Sequence, residues 1–379
     1  IILYMNIKNI FAGLSVLLLT GLSGCKNDPL TSPGTGALAP SGDEFVTQLF
    51  VRDVNYTEGA DFFSVVQLTD LHLGEELDYP HDYDYAVAPP EGSDGLAADY
   101  LRSIVEWINA NKAAYDIRLV IVTGDITDTA AYWQFVKAKE ILDQLDIPYV
   151  PMMGNHDVWP KGNASVAAVA VGDTYFREVF GSVFSSLAGN PVFDDWDDGT
   201  RNSAVSNPTC ACDNYYQNFS FSHDGYYFLC SDFNARYLSD VEYEGIVYYT
   251  GAGVRGELTY TWDNWFMAEY DRLQTEVLTA PDKDRILVLS HIPAVTWAHP
   301  TTGYHYGFED SDLQTITEFL YNDGNGDDTG LWAGGHFHTG TAYEYYLGVV
   351  TQGLQFVCPQ IIAQTSQAGK IQLIRLFTN

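Results

Sequence analysis

Apolar residues along this chain gather into short runs that stop at polar turns, and two periodicities alternate between them. Residues 62–69 (FFSVVQLT) are β-branched and aromatic almost without interruption, as in a strand buried on both faces. Over 96–115 the apolar residues Leu101, Ile104, Val105 and Ile108 recur at helical spacing. The pair then repeats, with a strand over 119–123, a helix over 132–145 and a strand over 147–153. Further on the pattern predicts a helix near 174–187 and a hairpin of 215–222 with 226–231, turning at His223-Asp224-Gly225. An aromatic helix over 262–278, a strand over 285–290, a helix over 313–321 and a strand over 331–333 follow. Segments 341–350, 354–360 and 370–377 read as strands that complete the core. Two stretches break the rhythm: a Tyr- and Asp-rich loop over 74–95, and 159–214, which reads as an insertion lying over the strand ends and includes the acidic 193–200. Strands alternating with helices predict an α/β fold.

Five of the apolar runs end in residues that can hold a metal. They close in Asp70-x-His72, Gly124-Asp125-x-x-Asp128, Gly154-Asn155-His156-Asp157, His291 and Gly335-His336-x-His338. Open α/β folds place ligand sites at the carboxyl ends of their strands. Imidazole and oxygen donors without thiolate suit first-row dications such as Mn, Zn, Fe or Ni. Asp128 and Asp157 read equally well as turn or helix-cap carboxylates.

This ordered set resembles the calcineurin-like metallophosphoesterases over roughly residues 62–340, with every motif position filled. The resemblance implies a four-layer α/β/β/α sandwich of two mixed β-sheets flanked by helices. It also implies two divalent or mixed-valence transition metal ions, which in a two-metal hydrolase stand about 3.5 to 4 Å apart. Carried over by position, Asp70, His72, Asp125 and His338 hold the first ion, and Asp125, Asn155, His291 and His336 the second, so Asp125 is the bridge. The implied reaction is phosphoester hydrolysis by a metal-bridging hydroxide, with His156 assisting the leaving group and Asp128 orienting His156. Position 128 is Asp, whereas the purple acid phosphatase branch of the family has Tyr there. The combination is similar to the phosphodiesterase branch, with phosphomonoesterase, nuclease and non-catalytic surface protein as the alternatives.

Charge bears on the substrate. The 379 residues carry 18 Lys and Arg against 50 Asp and Glu, a formal net charge of -32, which repels polyanions and disfavours a nucleic-acid polymer. A small-molecule phosphoester is the expected partner, and nothing in the sequence points to a protein partner. Loop residues His299, Tyr304, His305 and Tyr306 follow His291 closely enough to be candidates for substrate contact.

The N-terminal stretch reads differently from the rest. After Met5, Lys8 and an apolar run over 10–19 comes Leu22-Ser23-Gly24-Cys25, which resembles a bacterial lipoprotein signal. That implies cleavage before Cys25, lipid on its sulfur and a membrane-anchored, exported protein. Residues 1–24 are then signal, 25–43 a Pro-, Gly- and Ser-rich tether, and 44–379 the enzyme domain. In an oxidising compartment Cys210, Cys212, Cys230 and Cys358 suggest one or two disulfides, from the 210–212 loop to Cys230 and Cys358.

Overall fold

The computed structural model describes residues 48–74, 95–158, 172–207, 212–236, 241–243, 246–248, 256–258, 260–278, 283–295, 307–322, 329–337, 343–350, 354–362, 366 and 369–378. The signal, the tether with Cys25, most of the 74–95 loop, Cys210, His299, Tyr304, His305, Tyr306 and His338 lie outside the described residues. The elements run, in chain order, β1 Gln48–Val54, β2 Asp61–Leu68, α1 Leu96–Asn111, β3 Ile117–Thr123, α2 Tyr132–Leu142, β4 Tyr149–Met152, α3 Asn155–Val158 and α4 Gly172–Leu187. Then come β5 Asp195–Asp197, β6 Val205–Asn207, β7 Cys212–Asn214, β8 Phe219–His223, β9 Tyr226–Cys230, β10 Val241–Tyr243 and β11 Ile246–Tyr248. The chain closes through α5 Met267–Arg272, β12 Ile286–Leu289, α6 Asp310–Asn322, β13 Thr329–Gly334, β14 Tyr343–Val350, β15 Leu354–Ile362 and β16 Lys370–Thr378.

The strands form two mixed sheets. One is ordered β1-β16-β2-β3-β4, with β2, β3 and β4 parallel and β16 antiparallel to β2. The other is ordered β14-β15-β13-β12-β9-β8-β5, with β15, β13, β12 and β9 parallel. Side chains of the second sheet alternate between two cores, as a pleated strand requires. Phe228, Leu287, Leu289, Leu331 and Ala333 join the core shared with the first sheet, while Leu229, Ile286, Val288 and Trp332 join a core with the aromatic helix and α6. The result is the α/β/β/α layering, and all of it falls within one compact unit, Gly36–Asn379.

Polar bonds also tie the two sheets together. Gln67 Nε2 donates to the Gly334 carbonyl at 3.1 Å, and Tyr226 Oη donates to the Phe377 carbonyl at 2.7 Å.

Several local features depart from the sequence reading. β1, an unexpected strand, lies parallel to β16 and is secured by a bidentate Arg375–Asp53 ion pair. The aromatic helix is α-helical only over α5 and widens to π turns at Trp262–Phe266 and Leu273–Val277. α4 packs its Phe176 and Phe180 against Phe135 of α2 in the helical layer. The expected bridge to Cys230 is corrected: Cys230 is a free thiol, because on β9 it faces the apolar core between the sheets. Among the described residues no helix is long and apolar enough to cross a membrane.

Candidate metal centre

The strand ends of both sheets meet at one seam. Beyond β2 and β3 the two loops run side by side, with Asp70 N bonded to the Gly124 carbonyl and both Leu71 N and His72 N to the Asp125 carbonyl. Holding two polar loops this close bends their backbones sharply. Asp70, His72, Asp125 and His336 all have positive φ, between 47° and 77°, a region that non-glycine residues occupy mainly at turns and functional sites.

Glycine makes the approach possible at two places. A Cβ on Gly154 would stand 2.2 Å from Asp125 N, and one on Gly335 would stand 1.9 Å from Thr69 Oγ1. Gly335 thereby lets the end of β13 reach the first sheet, where His336 N donates to both Asp70 oxygens at 3.0 and 3.2 Å.

Asp125 stands at the middle of the site. Its Oδ1 accepts the His156 backbone N–H at 2.8 Å. Its Oδ2 is fully buried, makes no hydrogen bond, and lies 3.2 Å from His291 Nε2 and 3.6 Å from His72 Nε2. Burial works against this carboxylate, but the imidazoles of His291, His156 and His72 hold its pKa well below the usual range. His291 shows the reciprocal effect: burial disfavours its charge, and Asp125 more than offsets that, lifting its pKa to about 9.

Two clusters of potential ligands share Asp125. Asp70, His72 and Asp125 form one, and Asp125, His291 and His336 the other, with the donor atoms of each within 4.8 Å of one another. Asn155 Oδ1 lies 3.0 Å from His291 Nε2 and so stands beside the second. His291 Nδ1 must carry its proton toward the Thr123 carbonyl 2.9 Å away, which leaves Nε2 as the nitrogen facing Asp125. An unbonded buried carboxylate oxygen between two imidazoles, in a nitrogen and oxygen donor set, fits a pair of first-row dications.

His156 and Asp128 sit at the open side, 17% and 13% exposed. The His156 Nδ1–H donates to the Asp128 carbonyl at 2.9 Å, while the Asp128 carboxylate is 3.5 Å from both His156 Nδ1 and His72 Nδ1. The two residues are in contact, and the hydrogen bond runs through the Asp128 main-chain carbonyl rather than through the carboxylate named in the sequence reading. Asp157, which the sequence leaves without a role, accepts from Gly154 N, Ile126 N, Thr127 N and Thr127 Oγ1 at 2.8 to 3.0 Å. It clamps the third turn to the second. Burial and the charge on Asp125 raise its pKa to about 6 despite those donors. Only its fixed place after His156 marked it in the sequence, where a cap and a ligand look alike.

The family model for calcineurin-like phosphoesterase matches residues 63–340. An uncharacterized protein of Bacillus subtilis (strain 168), YvnB, is 30% identical over 105 residues, which is 27% of this chain and 7% of that protein. Among solved structures, a purple acid phosphatase from yellow lupin (Lupinus luteus) aligns with TM-score 0.41 and 11% identity over 85% of this chain and 45% of its own. PhoD aligns with TM-score 0.44 and 9% identity over 85% of this chain and 60% of its own. The chain thus spans less than two thirds of the length of each.

Proposed function

Because this chain belongs to the calcineurin-like phosphoesterase family and is a hydrolase of phosphoric ester bonds, we propose that it works as a binuclear metalloenzyme on small-molecule phosphodiesters. The observation that carries this reading is Asp125 Oδ2, buried and unbonded between His72 and His291. Asp70, His72, Asp125 and His338 hold one ion, and Asp125, Asn155, His291 and His336 the other. The part given to His338 rests on the Gly335-His336-x-His338 spacing alone. When bound, the ions supply Lewis acidity: they acidify water near neutral pH and neutralise charge on the phosphoryl oxygens.

The protein's own groups do the rest. Asp128 fixes the His156 ring through Nδ1, so in the protonated imidazole Nε2 is the nitrogen that would deliver a proton to the leaving oxygen. The net charge of -32 favours a small substrate over a polyanion.

The test is a panel of mono- and diesters, such as p-nitrophenyl phosphate and bis-p-nitrophenyl phosphate, assayed after reconstitution with manganese, zinc, iron or nickel. Faster turnover of diesters is expected. Turnover of monoesters alone overturns the diesterase reading, and cleavage of single-stranded DNA at physiological salt overturns the small-substrate reading. The same proposal anchors the enzyme outside the cytoplasm through lipid on Cys25, on the strength of residues 5–25. Cys25→Ser should then move the protein from the membrane to the soluble fraction, and unchanged membrane association removes the anchor.

A further inference from the structure

Next to the Gly154–Asp157 turn lies a buried ionic cluster that the hydrolytic chemistry does not use. Its centre is Arg236, 1% exposed. Arg236 Nη2 donates to Asp232 Oδ2 at 2.6 Å, Nη1 to the Asn234 carbonyl at 2.7 Å and Nε to Asp173 Oδ2 at 3.3 Å, with the guanidinium over the Tyr216 ring. Asp232 Oδ2 also accepts from Gln217 N, and its Oδ1 accepts from both the backbone and the side-chain amide of Asn234. The second amide hydrogen of Asn234 goes to the Met153 carbonyl at 2.9 Å. Both hydrogens of that amide are thus committed, and its direction is set by a charged partner.

The cluster holds the turn from two sides. Asn234 grips the chain at Met153, two residues before Asn155. Asp173 stands in the first turn of α4 just after Gly172, where a Cβ would meet the Asp157 carbonyl at 1.9 Å, so α4 abuts α3 directly. Apolar residues of similar volume often stabilise a protein as well as a buried ion cluster does, because desolvating the charges is costly. An apolar filling would not donate to the Met153 carbonyl from a fixed direction.

We propose that Asn234, oriented by Asp232 and Arg236, is a positioning residue for the second metal site: by holding the Met153 carbonyl it sets where Asn155 Oδ1 lies relative to His291 and Asp125. The proposal rests on the binuclear reading above. Outer partners that orient metal ligands typically contribute about 10- to 100-fold in metal affinity.

The experiment is equilibrium dialysis of the full chain against graded free manganese, with bound metal counted per chain, for wild type and Asn234→Ala. The expected result is two sites in both proteins, with one affinity weakened by about 10- to 100-fold in the variant, the other unchanged, and kcat restored at saturating manganese. Unchanged affinity at both sites overturns the positioning role, and so does equal weakening of both, which marks a general structural effect. Wild type that binds no manganese, or a single ion, overturns the binuclear reading itself and this role with it. Asn234→Leu, which keeps the side-chain volume but has no donor, is read by the same criteria if Asn234→Ala does not fold.

Discussion

At the scale of the residue, the site works by committing its carboxylate oxygens and backbone amides to fixed partners. Asp125 spends Oδ1 on the His156 backbone and keeps Oδ2. Asp125→Asn retains an acceptor for His156 N but gives up the shared charge. It should lose both metals, with turnover falling by more than the roughly 100-fold that outer partners cost; metal analysis beside a phosphoester assay checks this, and full metal content would remove Asp125 as the bridge. His156→Ala should keep its metals and lose about 10²- to 10⁴-fold in kcat, as the removal of a general acid does. Gly154→Ala should cost about 1 to 3 kcal/mol in denaturant unfolding, because its Cβ would overlap Asp125. The positions of these residues were legible in the sequence, since metal-capable side chains recur where apolar runs end. Their partners were not: the main-chain carbonyl that holds His156, the four donors on Asp157 and the amide of Asn234 are contacts between segments that no spacing encodes.

Elements were legible wherever burial was two-sided or strongly periodic. β2, β3 and α1 stand close to where the pattern placed them. β1 was missed because three of its seven residues are polar and its partner, β16, lies more than 300 residues away, as the Arg375–Asp53 pair illustrates. The π turns escaped for another reason: Trp262, Phe266 and Tyr270 keep a four-residue spacing and stack in succession, and hydrophobicity alone does not separate π from α turns. β9 makes a pH-dependent prediction. Burial raises the Tyr226 hydroxyl from its ordinary pKa of about 10 to about 12. Its contribution to stability is whole below pH about 10, declines as the unfolded chain ionises first, and is lost once pH passes about 12. Tyr226→Phe should therefore flatten the alkaline fall in denaturation midpoint over that window, while costing about 1 kcal/mol at neutral pH for the lost bond to Phe377.

On the scale of the whole molecule, the proposed ligands come from two sheets. Asp70, His72, Asp125 and Asn155 follow strands of the first, and His291 and His336 follow strands of the second. Ions bound there would act as a crosslink. At 100 times Kd, one bound ion contributes about 2.7 kcal/mol, so chelation should lower the melting temperature by several degrees without abolishing cooperative unfolding. An unchanged melting temperature would mean that no ion spans the sheets. Layering was implied by the family resemblance, whereas the face each strand turns to its neighbour became visible only in the alternation of Leu287 and Leu289 against Ile286 and Val288.

The left-handed backbone at Asp70, His72, Asp125 and His336 has a consequence for which ions would suit the centre. Each such residue costs about 1 kcal/mol or more, a cost that the packing around it must offset. A cation that demanded another coordination geometry would have to shift this strained backbone, so the turns themselves would take part in selecting among ions.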